Sequence, residues 1–323
     1  MVKDLDAFLQ ILNEPAPFAD SPEGGDNCDD EDACARLLTE FSNAEAEELA
    51  SVSYAYWIVR SNATDRLPAN AQRTSALKEI RRHYVGEGRK SISALAAIRE
   101  ALEYRRKYRF NAVRSCFYDN KGDSEDSTDL APKYRRLILD DLERQPMVVR
   151  GVDDNDRVII YKSERKTPGD TPDVEEAFLL TQIYSAERAL ATTEFTSKGK
   201  EEKVTMVFSF LEYSRKNAPP MSIMLTMLKM IQRCYPERLG VLIIAHPPFW
   251  IRGVYNMAWP FLSNSTVEKL RFPSGQIAVD DEFRNIVSSN KELGAMLANG
   301  DIASVDLTDY TQQPFYSHFE QKQ

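Results

Sequence analysis

The strongest constraint on the fold is an alternation of strand-like and helix-like segments in the second half of the chain. Short apolar runs have the length and composition of buried strands, and they lie at 147–149, 158–161, 204–210 and 241–245. Helical periodicity occurs between some of them, at 174–190 and 221–232. Strands that alternate with helices usually pair in parallel through right-handed crossovers. The sequence therefore predicts an α/β domain with a mainly parallel sheet.

The first half of the chain has a helical pattern instead. Apolar residues such as Leu95, Ile98 and Leu102 recur at helical spacing, and no strand pattern interrupts residues 34–118. We therefore expect an all-α domain at 34–118 ahead of the α/β domain. A polar stretch then predicts a linker at 119–133, and we place the α/β domain at 134–306.

The two ends of the chain are expected to lie outside these domains. Residues 1–33 contain a short helical pattern, then prolines, glycines and a run of acidic residues, which predicts a mobile acidic segment. Residues 307–323 are expected to form a tail. The first residues are acidic where a secretory signal would be basic, and each apolar run is far shorter than the roughly 20 residues that span a bilayer. We therefore expect a cytoplasmic protein whose membrane association is peripheral.

Composition limits the classes of function. Apolar residues make up 42% of the chain and charged residues 28%, which is typical of a globular protein. The net charge of -9 argues against broad nucleic-acid binding, because phosphate contacts need clustered Lys and Arg. The four cysteines form no Cys-x-x-Cys pair, so we expect reduced thiols, no disulfide framework and no metal site.

Sequence motifs of common enzymes are missing. The chain has no Gly-x-Ser-x-Gly elbow, no Walker A loop, no Gly-x-Gly-x-x-Gly and no His-Glu-x-x-His. His246 follows the strand at 241–245, at an end where α/β folds often bind ligands. It has no evident nucleophile beside it, so we expect a packing or capping role for His246, no catalytic residue and no enzymatic activity.

The stretch 234–272 carries the most specific signal. The turn Tyr235-Pro-Glu-Arg-Leu-Gly enters the strand at 241–245 and is followed by Pro260-Phe-Leu and Thr266-Val-Glu-Lys-Leu-Arg-Phe. This stretch resembles the signature region of the CRAL-TRIO family, and Ser214-Arg-Lys-Asn and the helical pattern at 94–108 resemble that family's preceding segments. The resemblance implies a lipid-binding α/β domain with a cavity for one lipid, preceded by a helical domain.

A helix after the strand at 241–245 is apolar nearly all round. Such a helix is either buried or faces lipid. The pattern alone also fits an ordinary core helix, whereas the resemblance implies a movable gate over the lipid cavity. The predicted cavity and gate residues are Phe249, Trp250, Ile251, Val254, Tyr255, Met257, Ala258, Trp259, Phe261 and Leu262.

Two charged residues match headgroup positions of the family. Glu237 and Lys269 correspond to residues that contact the inositol headgroup in phosphatidylinositol-binding members. Lys269 would contact the phosphate and Glu237 would order the polar end, although a plain surface salt bridge also fits. The family's strand hydroxyls, however, align with Val204 and Met206, and Thr205 between them is expected to face the other side of the sheet.

Several ligands and functions are compatible with these features. We expect a non-enzymatic carrier of a phospholipid such as phosphatidylinositol, with a transient membrane surface as partner and no cofactor other than the bound lipid. The alternatives are a carrier of a sterol, retinoid or tocopherol, and a ligand-free protein-interaction module of the same fold. Basic residues cluster in the helical half, where a solvated helix face is favoured over a membrane-binding patch.

Overall fold

The computed structural model describes residues 4–13, 27–118, 125–163, 173–211, 213, 219–249, 251, 253, 264–300 and 305–319. The helices of the first half are α1 Leu5–Asn13, α2 Asn27–Leu38, α3 Asn43–Ala50, α4 Tyr54–Asn62, α5 Ala71–Gly86, α6 Ser91–Lys107, α7 Phe110–Ser115 and α8 Glu125–Arg144. The second half contains β1 Met147–Val152, β2 Val158–Ser163, α9 Asp173–Thr196, β3 Val204–Ser209, α10 Met221–Cys234, β4 Leu239–Ala245, α11 Asn264–Glu268, β5 Leu270–Arg271, α12 Gln276–Ile286, α13 Lys291–Asn299 and α14 Leu307–Gln312.

The helical half has its own small core. Serines begin two of its helices: Ser42 caps α3 in a capping box with Glu45, and Ser53 caps α4. The apolar faces of α2, α3, α5 and α6 then bury side chains such as Ile80 and Leu102. This arrangement fits the helical periodicity of the sequence.

The second half is the predicted α/β fold. Its sheet has the strand order β1-β2-β3-β4-β5, in which β1 pairs antiparallel with β2 and every later pair is parallel. Because the strand order follows the chain order, right-handed crossovers put α9, α10 and α11 on one face. The opposite face packs against α12 and α13, where a Cβ on Gly300 would lie 3.3 Å from the Tyr161 hydroxyl.

A buried carboxylate joins the two halves. Glu187 of α9 is 1% exposed and lies 3.0 Å from an Arg105 guanidinium nitrogen; it also pairs with Arg114 and accepts a 2.9 Å hydrogen bond from Tyr235. Burial alone would raise the pKa of Glu187, but Arg105 and Arg114 outweigh it and hold the pKa below its usual value. Arg114 also donates to the backbone oxygens of residues 51 and 52. The helical half is thereby anchored to the α/β half.

The N-terminal region differs from the mobile segment expected at 1–33. In α1, Phe8 is fully buried, and its ring lies 5.6 Å from that of Tyr54 and 5.0 Å from that of Tyr316. The helix α2 also begins at Asn27, inside the predicted segment. Residues 14–26 lie outside the described residues. Apolar side chains at helical spacing in α1 bind a core formed by distant parts of the chain, which composition alone does not reveal.

The expected tail at 307–323 also packs into the core as far as residue 319. Tyr310 and Phe315 are buried, and the Tyr310 hydroxyl accepts a 3.1 Å hydrogen bond from the Val149 amide. The Phe319 amide donates to the Val149 carbonyl at 2.9 Å. This segment therefore covers the outer edge of β1, a strand edge that would otherwise expose backbone donors and acceptors.

The predicted linker at 119–133 is largely helical where it is described. Residues 119–124 lie outside the described residues, and α8 begins at Glu125 rather than near the expected residue 134. The Lys133 ammonium of α8 pairs with Glu176 of α9 at 2.7 Å. Contacts to α9 thus favour a helix in a stretch whose polar composition predicted a linker.

Replacing Phe8 with Ala should destabilise the whole chain. The expected loss is about 3–5 kcal/mol in the free energy of unfolding, because a fully buried aromatic ring leaves a cavity among the rings of Tyr54 and Tyr316. Urea unfolding of the full chain measures it. Gln10→Ala, on the exposed side of α1, is the matched control and should change little. Equal stability of the Phe8 variant and the wild type would contradict the packed N-terminus.

Replacing Glu187 with Gln should cost about 3–5 kcal/mol, because two buried guanidinium groups lose their counter-charge. The exposed pair of Arg284 and Asp281 provides a control, since Asp281→Asn should cost less than about 1 kcal/mol. The lowered pKa of Glu187 also predicts a pH dependence: its contribution is present above its usual value of 4.5 and is lost as the pH falls through the folded value. Urea unfolding at neutral and acidic pH checks this. The difference in the free energy of unfolding between wild type and Glu187→Gln should shrink as the pH falls.

Candidate functional site

One face of the sheet is incompletely covered over β3 and β4. In β3, Thr205 and Val207 are fully buried, while Met206 and Phe208 between and beyond them are half-buried. Successive strand residues point to opposite faces, so the two half-buried side chains share one face. The contrast between the faces therefore reflects how well each is covered.

The neighbouring strand repeats this contrast in register. Ile243 and Ala245 of β4 are buried, whereas Leu242 and Ile244 are half-buried. Leu242 pairs with Met206 and Ile244 with Phe208. We call these four residues the apolar trough. Both strands are interior, and interior strands of α/β sheets are normally buried on both faces. The trough is thus a described apolar surface that the helices on its face leave partly open.

The helices on the crossover face are positioned beside the trough. α9 is fixed to β2, because the Thr193 hydroxyl accepts a 3.3 Å hydrogen bond from the Val158 amide. α10 buries Ile223 and Met227 but leaves Met221 48% and Leu225 38% exposed. Apolar side chains in the first two turns of α10, the helix that follows β3 in the chain, therefore remain accessible.

Two of the ten predicted cavity and gate residues, Phe249 and Ile251, belong to the described part of the chain. Phe249 is 91% exposed and Ile251 is buried, at 9% exposure. Phe249 thus lies at the surface, whereas Ile251 packs inward. The gate itself and the enclosed cavity remain predictions, since the other predicted gate residues lie outside the described residues: Trp250, Val254, Tyr255, Met257, Ala258, Trp259, Phe261 and Leu262.

The two predicted headgroup residues contact each other. The Lys269 ammonium lies 3.6 Å from a Glu237 carboxylate oxygen, with 21% and 27% of the side chains exposed. Glu237 belongs to the turn between α10 and β4, and the Lys269 carbonyl accepts a 2.9 Å hydrogen bond from Leu242. Glu237 has a φ of 56°, a left-handed conformation that is uncommon for a residue with a Cβ. Their role in headgroup binding remains a prediction.

The hydroxyl of Thr205 faces away from the trough, as the sequence predicts. It donates a 2.6 Å hydrogen bond to the Asp153 carboxylate in the turn between β1 and β2. Thr205 is fully buried on the opposite face from Met206. No side-chain hydroxyl of β3 within 204–208 therefore points into the trough.

A separate cavity lies between the helical half and α9. It encloses about 30 Å³, room for one or two water molecules, and its lining includes Lys78, Arg82, Glu202 and Arg238. Arg82 pairs with Glu202 at 2.9 Å. Burial would raise the pKa of Glu202, but Arg82 and Arg238 outweigh it and hold the pKa at about 2. This cavity is too small and too charged for an acyl chain, and no sequence pattern predicted it.

Several basic residues of the helical half are already ion-paired. Arg106 lies 2.8 Å from Glu48, and Arg89 lies 3.2 Å from Asp30. Arg105 is buried against Glu187. For the basic residues of the helical half, these pairs favour a solvated and internally paired surface over a patch that attracts anionic lipid.

The histidine after β4 and two of the cysteines are held in packed surroundings. The His246 Nε2 lies 3.4 Å from the Ala298 carbonyl oxygen, in agreement with a packing or capping role. Burial raises the pKa of the Cys116 and Cys234 thiols to about 12, so neither is readily ionised.

In the described parts of the chain, no cluster of His, Cys, Asp and Glu side chains could hold a metal ion. No helix among those residues is long and apolar enough to cross a bilayer.

Comparison with known proteins identifies the α/β half. The family model for the CRAL/TRIO domain matches residues 142–290, a stretch that contains all five strands and the trough. Residues 142–290 are a CRAL/TRIO domain. Glu237, Lys269 and the predicted gate also lie within the CRAL/TRIO domain.

Two known proteins extend this comparison. "Phosphatidylinositol transfer protein PDR17" of Saccharomyces cerevisiae is 27% identical over 156 residues, which cover 46% of this chain and 40% of that relative. The matched region thus spans less than half of the relative's length. The crystal structure of Sfh5 aligns with a TM-score of 0.53 at 14% identity, covering 87% of this chain and 100% of that chain. That likeness shows the fold, including the helical region ahead of the CRAL/TRIO domain.

Replacing Leu242 with Trp should fill the trough without unfolding the CRAL/TRIO domain. A half-buried position beside open space can accept a larger ring, so the free energy of unfolding should change by less than about 1 kcal/mol. Ile243→Trp is the matched control on the fully buried face, where overpacking should cost about 1–3 kcal/mol or more. Urea unfolding of both variants checks this, and an equal loss in both would mean that the trough is packed solid.

Proposed function

We propose that this protein is a non-enzymatic lipid carrier that binds one lipid with its acyl chains along the apolar trough. One observation carries the proposal: apolar residues of two interior strands are half-buried on the crossover face of a CRAL/TRIO domain. An acyl chain would complete the burial of Met206, Phe208, Leu242 and Ile244. Transfer of that apolar surface from water is the expected driving force.

The size of this driving force explains why a carrier needs a gate. Burial contributes about 0.8 kcal/mol per methylene, so a chain of about 16 carbons gains on the order of 12 kcal/mol. Release into water would be very slow. We therefore propose that the predicted gate opens at a membrane surface, where the lipid passes between two apolar phases. The exposed Phe249, at the start of this segment, supports an apolar contact there.

The proposed ligand is a phospholipid, with phosphatidylinositol as the first candidate. The name of the relative PDR17 supports this choice. So does the contact between Lys269 and Glu237, because an ammonium and a carboxylate can bind a phosphate and ring hydroxyls respectively. The left-handed backbone of Glu237 adds support, since a Gly would adopt that turn at lower cost and strained conformations often occur at binding sites.

Lipid extraction from the purified full chain tests the carrier function. Native mass spectrometry should find one lipid per chain, and labelled phosphatidylinositol should move between vesicles when the protein is added. A consistently empty chain that takes up no lipid would favour the protein-interaction alternative. A bound sterol, retinoid or tocopherol that phosphatidylinositol cannot displace would favour a carrier of another hydrophobe.

The headgroup assignment makes a specific prediction. Lys269→Ala combined with Glu237→Ala should abolish transfer of phosphatidylinositol, while the fold and the binding of a neutral lipid stay intact. The physical reason is the loss of the polar partners of the headgroup without any change in the trough. Arg284→Ala combined with Asp281→Ala removes an exposed pair on α12 as a control. If the Lys269 and Glu237 variant still transfers phosphatidylinositol, the headgroup assignment is wrong.

A further inference from the structure

The turn between α10 and β4 is attached to the helical half by ion pairs on both sides. In the last turn of α10, the Arg233 guanidinium lies 2.7 Å from a Glu87 carboxylate oxygen and 2.7 Å from a Glu100 oxygen. Just before β4, the Arg238 guanidinium lies 3.8 Å from a carboxylate oxygen of Glu79, a residue that is 2% exposed. These three glutamates belong to α5, to the residue that follows it and to α6.

The middle of this turn packs against the helical half as well. A Cβ on Gly86, the last residue of α5, would lie 3.4 Å from the Cβ of Pro236. The Tyr235 ring stacks on that of Phe110 in α7, with 6.3 Å between the ring centres. Contacts with α5, α6 and α7 thus run along the turn, and its backbone cannot shift without disturbing them.

Glu237 contacts a different part of the molecule from its two neighbours. Pro236 and Arg238 contact α5, whereas the Glu237 carboxylate lies 3.6 Å from the Lys269 ammonium. The backbone reverses here with a φ of 56° at Glu237. A left-handed conformation is unfavourable for a residue with a Cβ, and it persists only where the surroundings fix it. The Val204 amide fixes the end of the turn from β3, and the side-chain contacts with α5 and α6 fix the rest.

We infer that the helical half sets the headgroup selectivity of the carrier by holding the turn around Glu237. Gly86, Glu87 and Glu100 are positioning residues, which act through the turn and not by contact with the lipid. This inference rests on the proposed carrier function. It assigns part of the selectivity to residues that precede the CRAL/TRIO domain at 142–290.

The expected effect is confined to lipids with a headgroup. A turn released from the helical half can relax to a commoner backbone conformation, which moves Glu237 away from Lys269. The affinity for a lipid that needs Glu237 then falls in proportion to the fraction of chains that keep the binding conformation. A lipid without a headgroup uses the apolar trough alone, so its affinity stays the same.

Two lipids with the same acyl chains test this, dioleoyl phosphatidylinositol and dioleoylglycerol, in competition for the full chain. Wild type should bind the first about tenfold or more tightly, as charge-assisted hydrogen bonds predict. Glu87→Gln combined with Glu100→Gln removes both partners of Arg233 and should lower this preference about threefold or more. Glu48→Gln is the matched control, because it breaks the 2.8 Å pair with Arg106 of α6 and should leave the preference unchanged.

Gly86→Val is an independent variant that keeps every charge. Its side chain must displace Pro236, so it should also lower the preference about threefold or more. In a chain that already carries Glu237→Ala, neither variant should lower the preference further, because the residue that is positioned has been removed. Should Gly86→Val fail to fold, the glutamate variant decides, since the two carboxylate side chains are 31% and 43% exposed and can be replaced without burying a polar group.

The outcomes separate this inference from the proposed function. An unchanged preference in either folded variant would overturn the inference and leave the carrier intact. Equal weakening of both lipids, or a further loss in the Glu237→Ala chain, would also overturn it, since either result indicates a general structural effect. Equal binding of the two lipids by wild type would overturn the inference together with the headgroup assignment and still support a carrier. If wild type binds neither lipid, the proposed function fails and this inference fails with it.

Discussion

The buried Glu187 carboxylate is the interaction on which the arrangement of the molecule depends. Arg105 of α6 and Arg114 of α7 come from the helical half, whereas Glu187 and Tyr235 come from the CRAL/TRIO domain. Charges removed from water are stable only when they are paired and hydrogen-bonded, so these four side chains must assemble together. Tyr235 also begins the turn that contains Glu237. The position of the predicted headgroup pair is therefore linked to the contact between the two halves.

The trough follows from strand order and register rather than from any single side chain. Parallel strands added in chain order put every described crossover helix on one face, and that face must accommodate α9, α10 and α11. The other face is filled by α12 and α13, which bury Phe283 and Leu297. The same alternation that makes Ile243 a core residue leaves Leu242 accessible. An accessible apolar surface thus arises within strands whose sequences are largely apolar on both faces.

The sequence predicted those parts of the fold that local pattern determines. Strands β1 to β4 and helices α9 and α10 were recognisable because each has its own periodicity, whereas β5 has only two residues and was missed. The burial of Phe8 and Phe319 was missed because it depends on contacts with distant residues. Glu237 and Lys269 were identified by resemblance, and the contact between them agrees with the salt bridge that was the alternative to headgroup binding. Lys162 is buried, but nothing in the sequence at 158–163 distinguishes it from a solvated lysine at the end of a strand.

The covering of β1 by the last described residues has a consequence for biosynthesis. A ribosome releases the chain from its N-terminus, so α1 emerges long before its aromatic partner Tyr316. The outer backbone of β1 likewise stays unpaired until Phe319 has emerged. During that interval the nascent chain exposes both an apolar helix and an open strand edge, which are features that chaperones bind and that promote aggregation. The edge of β1 is therefore covered only after the chain has emerged as far as residue 319.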